Sequence, residues 1–186
     1  MRSLFRTFIA IDICNEQMRE DIYHLREKLN SKHIKFIDLE NIHITIKFLG
    51  YIEETDINQI CDVLSLISFR RFDITISNIR YLPNSIKPRV ICLDVIKGED
   101  ELNGLYQMIS YSLEQKGFKK ESRRFLPHVT IARFRTLNNL KRLRVKSIDR
   151  DELNEYRIHV NEIQFKKSIL DVLGAKYENI FTKSLM

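Results

Sequence analysis

The chain has 186 residues, 44% hydrophobic and 30% charged, a balance that fits one packed domain or two small lobes and excludes a disordered or fibrous chain. A formal net charge of +6 and a pI near 9.2 favour anionic partners such as nucleic acid or phosphorylated ligands. Three widely spaced cysteines (Cys14, Cys61 and Cys92) argue against a disulfide scaffold or a structural zinc site and fit a reducing compartment.

Leu4 to Ile13 is apolar and reads as a buried strand. Its apolar run is broken by Asp12 and is too short to span a bilayer, so a soluble cytoplasmic protein with no membrane partner is expected. Asn15 is placed to cap a helix reaching about Asn30, with Met18, Ile22, Leu25 and Leu29 at helical spacing. Ile34 to Ile37 is a short strand, and Asn41 to Gly50 a second that Gly50 is expected to end. Thr55 is the expected cap of a helix through Ile57, Ile60, Val63, Leu64 and Ile67. Phe72 to Ile79 alternates as a strand, Pro83, Asn84 and Pro88 mark a loop, and Val90 to Ile96 is again a strand. Glu99 to about Lys116 carries a helical stripe of Leu102, Leu105, Met108, Ile109 and Leu113, with Gly117 as the residue just past the helix end. A strand from His128, a basic helical stretch from Leu137 to about Lys146, and strands Tyr156 to Ile163 and Lys176 to Lys183 complete the order, with Gly174 at a turn. No Pro-, Gly- or Ser-rich linker divides the chain, so residues 1–186 read as a single bilobal domain.

Two stretches share one pattern. His43-Ile-Thr-Ile46 and His128-Val-Thr-Ile131 each place His and Thr on one face of a strand and apolar residues on the other, and they stand 85 residues apart. Phe8 to Ile13 resembles Val90 to Val95 at an offset of 82, and Phe72 to Ile79 resembles Tyr156 to Ile163 at an offset of 84. Three matches in near-constant register point to an internal duplication. Two lobes related by a pseudo-twofold would bring both His-x-Thr strands to one cleft.

Histidine titrates near neutral pH, so a neutral imidazole takes a proton from water while a protonated one gives a proton to a leaving oxygen. Each such transfer contributes about 10²–10⁴ in rate, together roughly 5–11 kcal/mol if independent. The hydroxyls of Thr45 and Thr130 hydrogen-bond non-bridging phosphate oxygens. The set suits displacement at a phosphodiester with an internal leaving group, without metal or other cofactor. The plainer readings are that the threonines are strand formers and that a lone strand histidine is structural. The repeat outweighs those readings for His43 and His128, whereas His24, His33 and His159 are assigned to structure or solvent. Two histidines without a neighbouring carboxylate or cysteine undersupply a metal.

Eleven basic residues and one acid, Glu121, lie between Lys116 and Lys146. Part of this run is a solvated helix face, but it brackets His128, where a phosphate backbone can track. Arg133 stands five residues past His128, on the wrong face unless the strand ends or bulges near Ala132. Lys47 stands four past His43, on the same face by strict alternation, and is a further phosphate candidate.

The twin motifs, together with Arg6-Thr-Phe-Ile-Ala-Ile-Asp12, Lys47-Phe-Leu-Gly50, Pro88 to Leu93 and Phe165 to Ile169, resemble the two-histidine phosphoesterase superfamily, in its RNA 2′,3′-cyclic phosphodiesterase (2′-5′ RNA ligase) branch. The resemblance implies an α+β bilobal fold, each lobe with a mainly antiparallel sheet and flanking helices. It implies hydrolysis of RNA or nucleotide 2′,3′-cyclic phosphate ends to 2′-phosphate, with His43 as proton donor and His128 as proton acceptor. Near symmetry leaves that assignment open from the residues alone. RNA with cyclic phosphate ends, tRNA fragments among them, is the expected partner, and a monomer the expected state. Two other readings stay open: ligation of tRNA half-molecules by the reverse reaction, and a non-catalytic RNA-binding module, which the lack of repeated aromatics disfavours.

Overall fold

A computed structural model describes residues 4–29, 33–135, 153–171 and 174–186. Among these described residues nine strands and three α-helices follow in the order β1 (Leu4–Asp12), α1 (Glu16–Lys28), β2 (Ile34–Phe36), β3 (His43–Glu53), α2 (Glu54–Ser65), β4 (Phe72–Leu82), β5 (Val90–Lys97), α3 (Glu99–Glu114), β6 (His128–Phe134), β7 (Tyr156–Val160), β8 (Glu162–Asp171) and β9 (Gly174–Ser184). All strand pairings are antiparallel, and the sheet runs β7-β4-β5-β6-β3-β1-β8-β9, with β2 paired to β6. The α+β class read from the sequence is the class observed. The two four-stranded halves join through one ladder pair, Ile44 with Val129.

Helix stripes supply much of the core: Met18, Ile22 and Leu25 of α1, Ile60, Val63 and Leu64 of α2, and Leu102, Leu105, Ile109 and Leu113 of α3. They pack with buried strand residues such as Ile9, Ile44, Leu93, Val129 and Phe165 in one hydrophobic cluster. Asn15 caps α1, its Oδ1 accepting from Met18 N–H at 2.9 Å. Gly117, at φ 88°, ends α3 with the paired bonds Phe118 N–H to Leu113 O and Gly117 N–H to Glu114 O.

Four sequence expectations change. Gly50 does not end its strand: at φ 76° it adjoins a bulge at Leu49, and β3 runs on to Glu53. The helix therefore starts directly from the strand, so Glu53, not Thr55, is the cap, its N–H donating to Asp56 Oδ2 at 2.9 Å. Tyr156 to Ile163 is two strands. After Val160 the chain leaves β4 and crosses to β1, a switch made at Asn161, whose carbonyl accepts Leu185 N–H at 2.7 Å. The third internal match consequently relates strands that pair with each other, since Phe72 faces Val160. β4, beside β5, corresponds in position to β8, beside β1. The basic stretch from Leu137 to Lys146 lies outside the described residues.

The other two matches stand in the ladders. Phe8, Ile9, Ala10, Ile11 and Asp12 pair with Phe48, Lys47, Thr45, Ile44 and His43. Val90, Ile91, Cys92, Leu93 and Asp94 pair with Arg133, Ala132, Thr130, Val129 and His128. The two halves repeat each other pair for pair, including one skipped residue each, Ile46 and Ile131.

Candidate active site

Ile44 and Val129, both fully buried, face the core at the seam. Side chains alternate along a strand, so the flanking His43, Thr45, His128 and Thr130 face the opposite side together. In a ladder centred on that pair, the two histidines are diagonal neighbours, with Cα atoms about 7–8 Å apart. All four residues line one cleft of about 580 Å³, which Arg133, Arg123, Arg124, Phe8, Phe48 and Tyr177 also line. A smaller hollow of about 340 Å³ between the end of β1 and β7–β8 contains neither motif histidine.

The rings are held alike. His43 Nδ1 lies 2.7 Å from Asn41 O, and His128 Nδ1 lies 2.7 Å from Leu126 O. A carbonyl only accepts, so each Nδ1 carries the proton and donates it. That leaves Nε2 of both rings as the atom that binds or releases a proton. The ring surroundings differ between halves. His43 packs against Phe8 and Tyr177 at centroid distances of 5.1 and 5.3 Å. Burial pushes its pKa below the ordinary histidine value; the Asn41 carbonyl and Asp12 oppose this, and Lys166 and Arg133 add to it. His128 instead follows the loop carrying Arg123 and Arg124, where Phe125 stacks on Tyr106 at 4.6 Å.

Arg133 and Lys47 exchange the faces that strict alternation assigns them. Each skipped isoleucine is a β-bulge, which shifts the alternation by one residue. The residue five past each histidine, Phe48 or Arg133, therefore turns into the cleft, and the residue four past, Lys47 or Ala132, turns to the core. Lys47 is 1% exposed, its Nζ 3.3 Å from Ser110 Oγ and 5.9 Å from the Tyr106 ring centre. It does not line the cleft. Phe48, 56% exposed, does, and alternation misplaces it for the same reason.

Among the described residues, Arg123, Arg124 and Arg133 form no ion pair with a carboxylate, whereas Lys166 pairs with Asp12 at 2.6 Å and Arg80 with Asp94 at 2.8 Å. His159 is paired with Asp73 at 2.9 Å. Asp12 and Asp94 were visible in the duplicated hexamers, but no role attached to them there; only the ladder puts each opposite a motif histidine. No group of three or more His, Cys, Asp or Glu among the described residues is arranged to hold a metal ion. No described helix is long and apolar enough to cross a membrane.

The sequence profile of the family described as "LigT like Phosphoesterase" matches this chain twice, over residues 11–92 and 95–177, one match per half. A protein of Methanocaldococcus jannaschii named RNA 2′,3′-cyclic phosphodiesterase is 33% identical over 175 residues, covering 94% of this chain and 98% of its own length. One of Aquifex aeolicus with the same name is 32% identical over 186 residues, covering 92% and 93%. The crystal structure of E. coli LigT complexed with 3′-AMP has the same fold, with a TM-score of 0.78 at 21% identity, covering 98% of this chain and 99% of that one. Profile, relatives and fold agree, and the chain belongs to the LigT-like phosphoesterase family.

Proposed function

We propose that this chain hydrolyses the 2′,3′-cyclic phosphate ends of RNA or nucleotides to 2′-phosphates by metal-independent general acid–base catalysis. The carrying observation is the pair of motif histidines on one face of the sheet, both lining the same cleft with Nδ1 held by a backbone carbonyl. The names of the two relatives supply the substrate class.

In this reading His128 Nε2 takes a proton from water as the water oxygen attacks phosphorus. The bond from phosphorus to the 3′ oxygen breaks, and His43 Nε2–H delivers its proton to that oxygen. The products are a 2′-phosphate and a 3′-hydroxyl. Thr45 and Thr130 donate to the non-bridging oxygens, and Arg133 balances the charge that gathers on them. Aromatic rings pack beside His43, and Arg123 and Arg124, of the loop before His128, line the same cleft. An apolar nucleoside face suits the aromatic wall, which puts the ribose oxygen nearer His43. Burial alone makes His43 a reluctant cation; the phosphate's negative charge favours its protonated form once substrate binds. The site draws both histidines from one chain, so a single bilobal chain acting as a monomer suffices, in the cytoplasm where RNA ends arise.

The test is turnover of a 2′,3′-cyclic nucleotide with EDTA present. His43→Ala and His128→Ala should each lower kcat by about 10²–10⁴. Absence of wild-type turnover, or turnover indifferent to both substitutions, ends this reading.

A further inference from the structure

Each motif histidine has a carboxylate directly across its ladder, Asp12 opposite His43 and Asp94 opposite His128. Directly opposed residues in an antiparallel pair place their Cβ atoms about 4.5–5.5 Å apart on one face. Each carboxylate is gripped by a cation from the next strand out. Lys166 of β8, itself only 8% exposed, reaches Asp12 Oδ2 at 2.6 Å. Arg80 of β4 brings Nε to 2.8 Å from Asp94 Oδ1, an atom sealed from solvent. Across the adjacent strands β8, β1, β3, β6, β5 and β4 the order is cation, carboxylate, imidazole, imidazole, carboxylate, cation.

Neither carboxylate occupies the Nδ1 of its histidine, which is taken by a backbone carbonyl in both halves. Asp12 and Asp94 therefore face the rings through space rather than by a hydrogen bond, and burial of His43 weakens solvent screening on its side. We propose that Asp12 and Asp94 are positioning residues that set the proton affinity of His43 and His128, each moderated by the cation behind it, Lys166 or Arg80. The consequence for turnover rests on the acid–base reading above, but the direct test does not. Among the described residues, Arg133 also acts on His43 and Glu99 on Asp94, and Arg6, Glu121, Arg123 and Arg124 line the cleft that both histidines line.

The experiment is an NMR titration of the imidazole resonances of the full chain from about pH 5 to 9, without substrate. Asp12→Asn should lower the His43 midpoint by roughly 0.5–1 pH unit and leave His128 nearly still; Asp94→Asn should do the converse. The shift falls short of an isolated neighbouring charge because the cations already cancel part of each carboxylate. Lys166→Met and Arg80→Met should raise the midpoints of His43 and His128 respectively, since each uncovers a carboxylate. A merely structural role does not produce opposite signs from the two partners of one pair. In turnover, Asp12→Asn and Asp94→Asn should move opposite limbs of the pH–rate profile of a 2′,3′-cyclic mononucleotide. Midpoints unmoved in folded Asn variants, or Lys166→Met shifting His43 in the same direction as Asp12→Asn, would overturn the proposal. Midpoints that move as expected in a protein without cyclic phosphodiesterase activity support the charge row and remove only the hydrolase reading.

Discussion

Lys47 separates a reading from sequence alternation from a reading of the ladder. Alternation makes it a phosphate candidate, whereas the bulge at Ile46 buries it to 1% exposure, with Ser110 Oγ its one hydrogen-bond partner among the described residues. Desolvating an ammonium costs several kcal/mol, and among the described residues no carboxylate balances it. The Ser110 contact, at 3.3 Å, returns about 1.5–3 kcal/mol as a bond to a charged donor. Methionine fits a similar volume without the charge, and the freed Ser110 hydroxyl has helix backbone carbonyls within local reach. Lys47→Met should therefore stabilise the fold by about 1–2 kcal/mol, which for a chain of this size raises Tm by roughly 2–8 °C. Thermal denaturation and steady-state hydrolysis of a cyclic nucleotide check both halves of the argument, and kcat/KM should stay within about twofold. A drop in stability beyond ~1 kcal/mol refutes the desolvation argument. A tenfold rise in KM in a folded variant returns Lys47 to the phosphate.

Gly98 caps α3 at φ 83°, and a Cβ there would stand 2.6 Å from Asp73 O and 2.7 Å from Ile74 Cγ2. Gly98→Ala should cost about 2–4 kcal/mol, read by urea denaturation, from the left-handed backbone and the clash together. Arg123→Ala with Arg124→Ala should raise KM for an RNA oligonucleotide with a cyclic end far more than for a cyclic mononucleotide. It should also flatten the salt dependence by about 0.7 per phosphate contact removed, measured by titrating salt in the assay. The pKa of His43 is depressed in the folded state, chiefly by burial, so the unfolded chain takes up this proton first as pH falls. That contribution to stability is complete above about pH 6.5 and shrinks as pH drops toward the lower folded pKa. Wild-type Tm should consequently fall more between about pH 7 and pH 5 than that of His43→Gln, and parallel curves would contradict it.

Much of the site was legible because its signal is local. His-x-Thr on a strand puts both polar groups on one face whatever the rest of the chain does, and the 85-residue repeat announces a second copy. Helix stripes such as Leu102, Leu105, Ile109 and Leu113 and caps such as Asn15 are equally local. The misreadings share one origin. Thr55 lost its role because β3 continues past Gly50, and Tyr156 to Ile163 divides because its two parts find partners at opposite ends of the sheet. Strand ends and partners are settled by hydrogen bonding to distant segments, which composition does not encode. The third internal match misled for that reason, since similar alternation serves two strands that pair with each other as well as two related by symmetry.

By itself the sequence determined the two copies of the His-x-Thr pattern, most helix and strand positions and the basic flank, all consequences of periodicity and spacing along one segment, while the α+β class came with the family resemblance. Tertiary structure decided which side chains meet: the bulges that turn Arg133 and Phe48 into the cleft and Lys47 away, and the carboxylates across from each histidine. A bulge is a mismatch between two strands, and a charge row crosses six of them, so neither exists until the sheet is assembled.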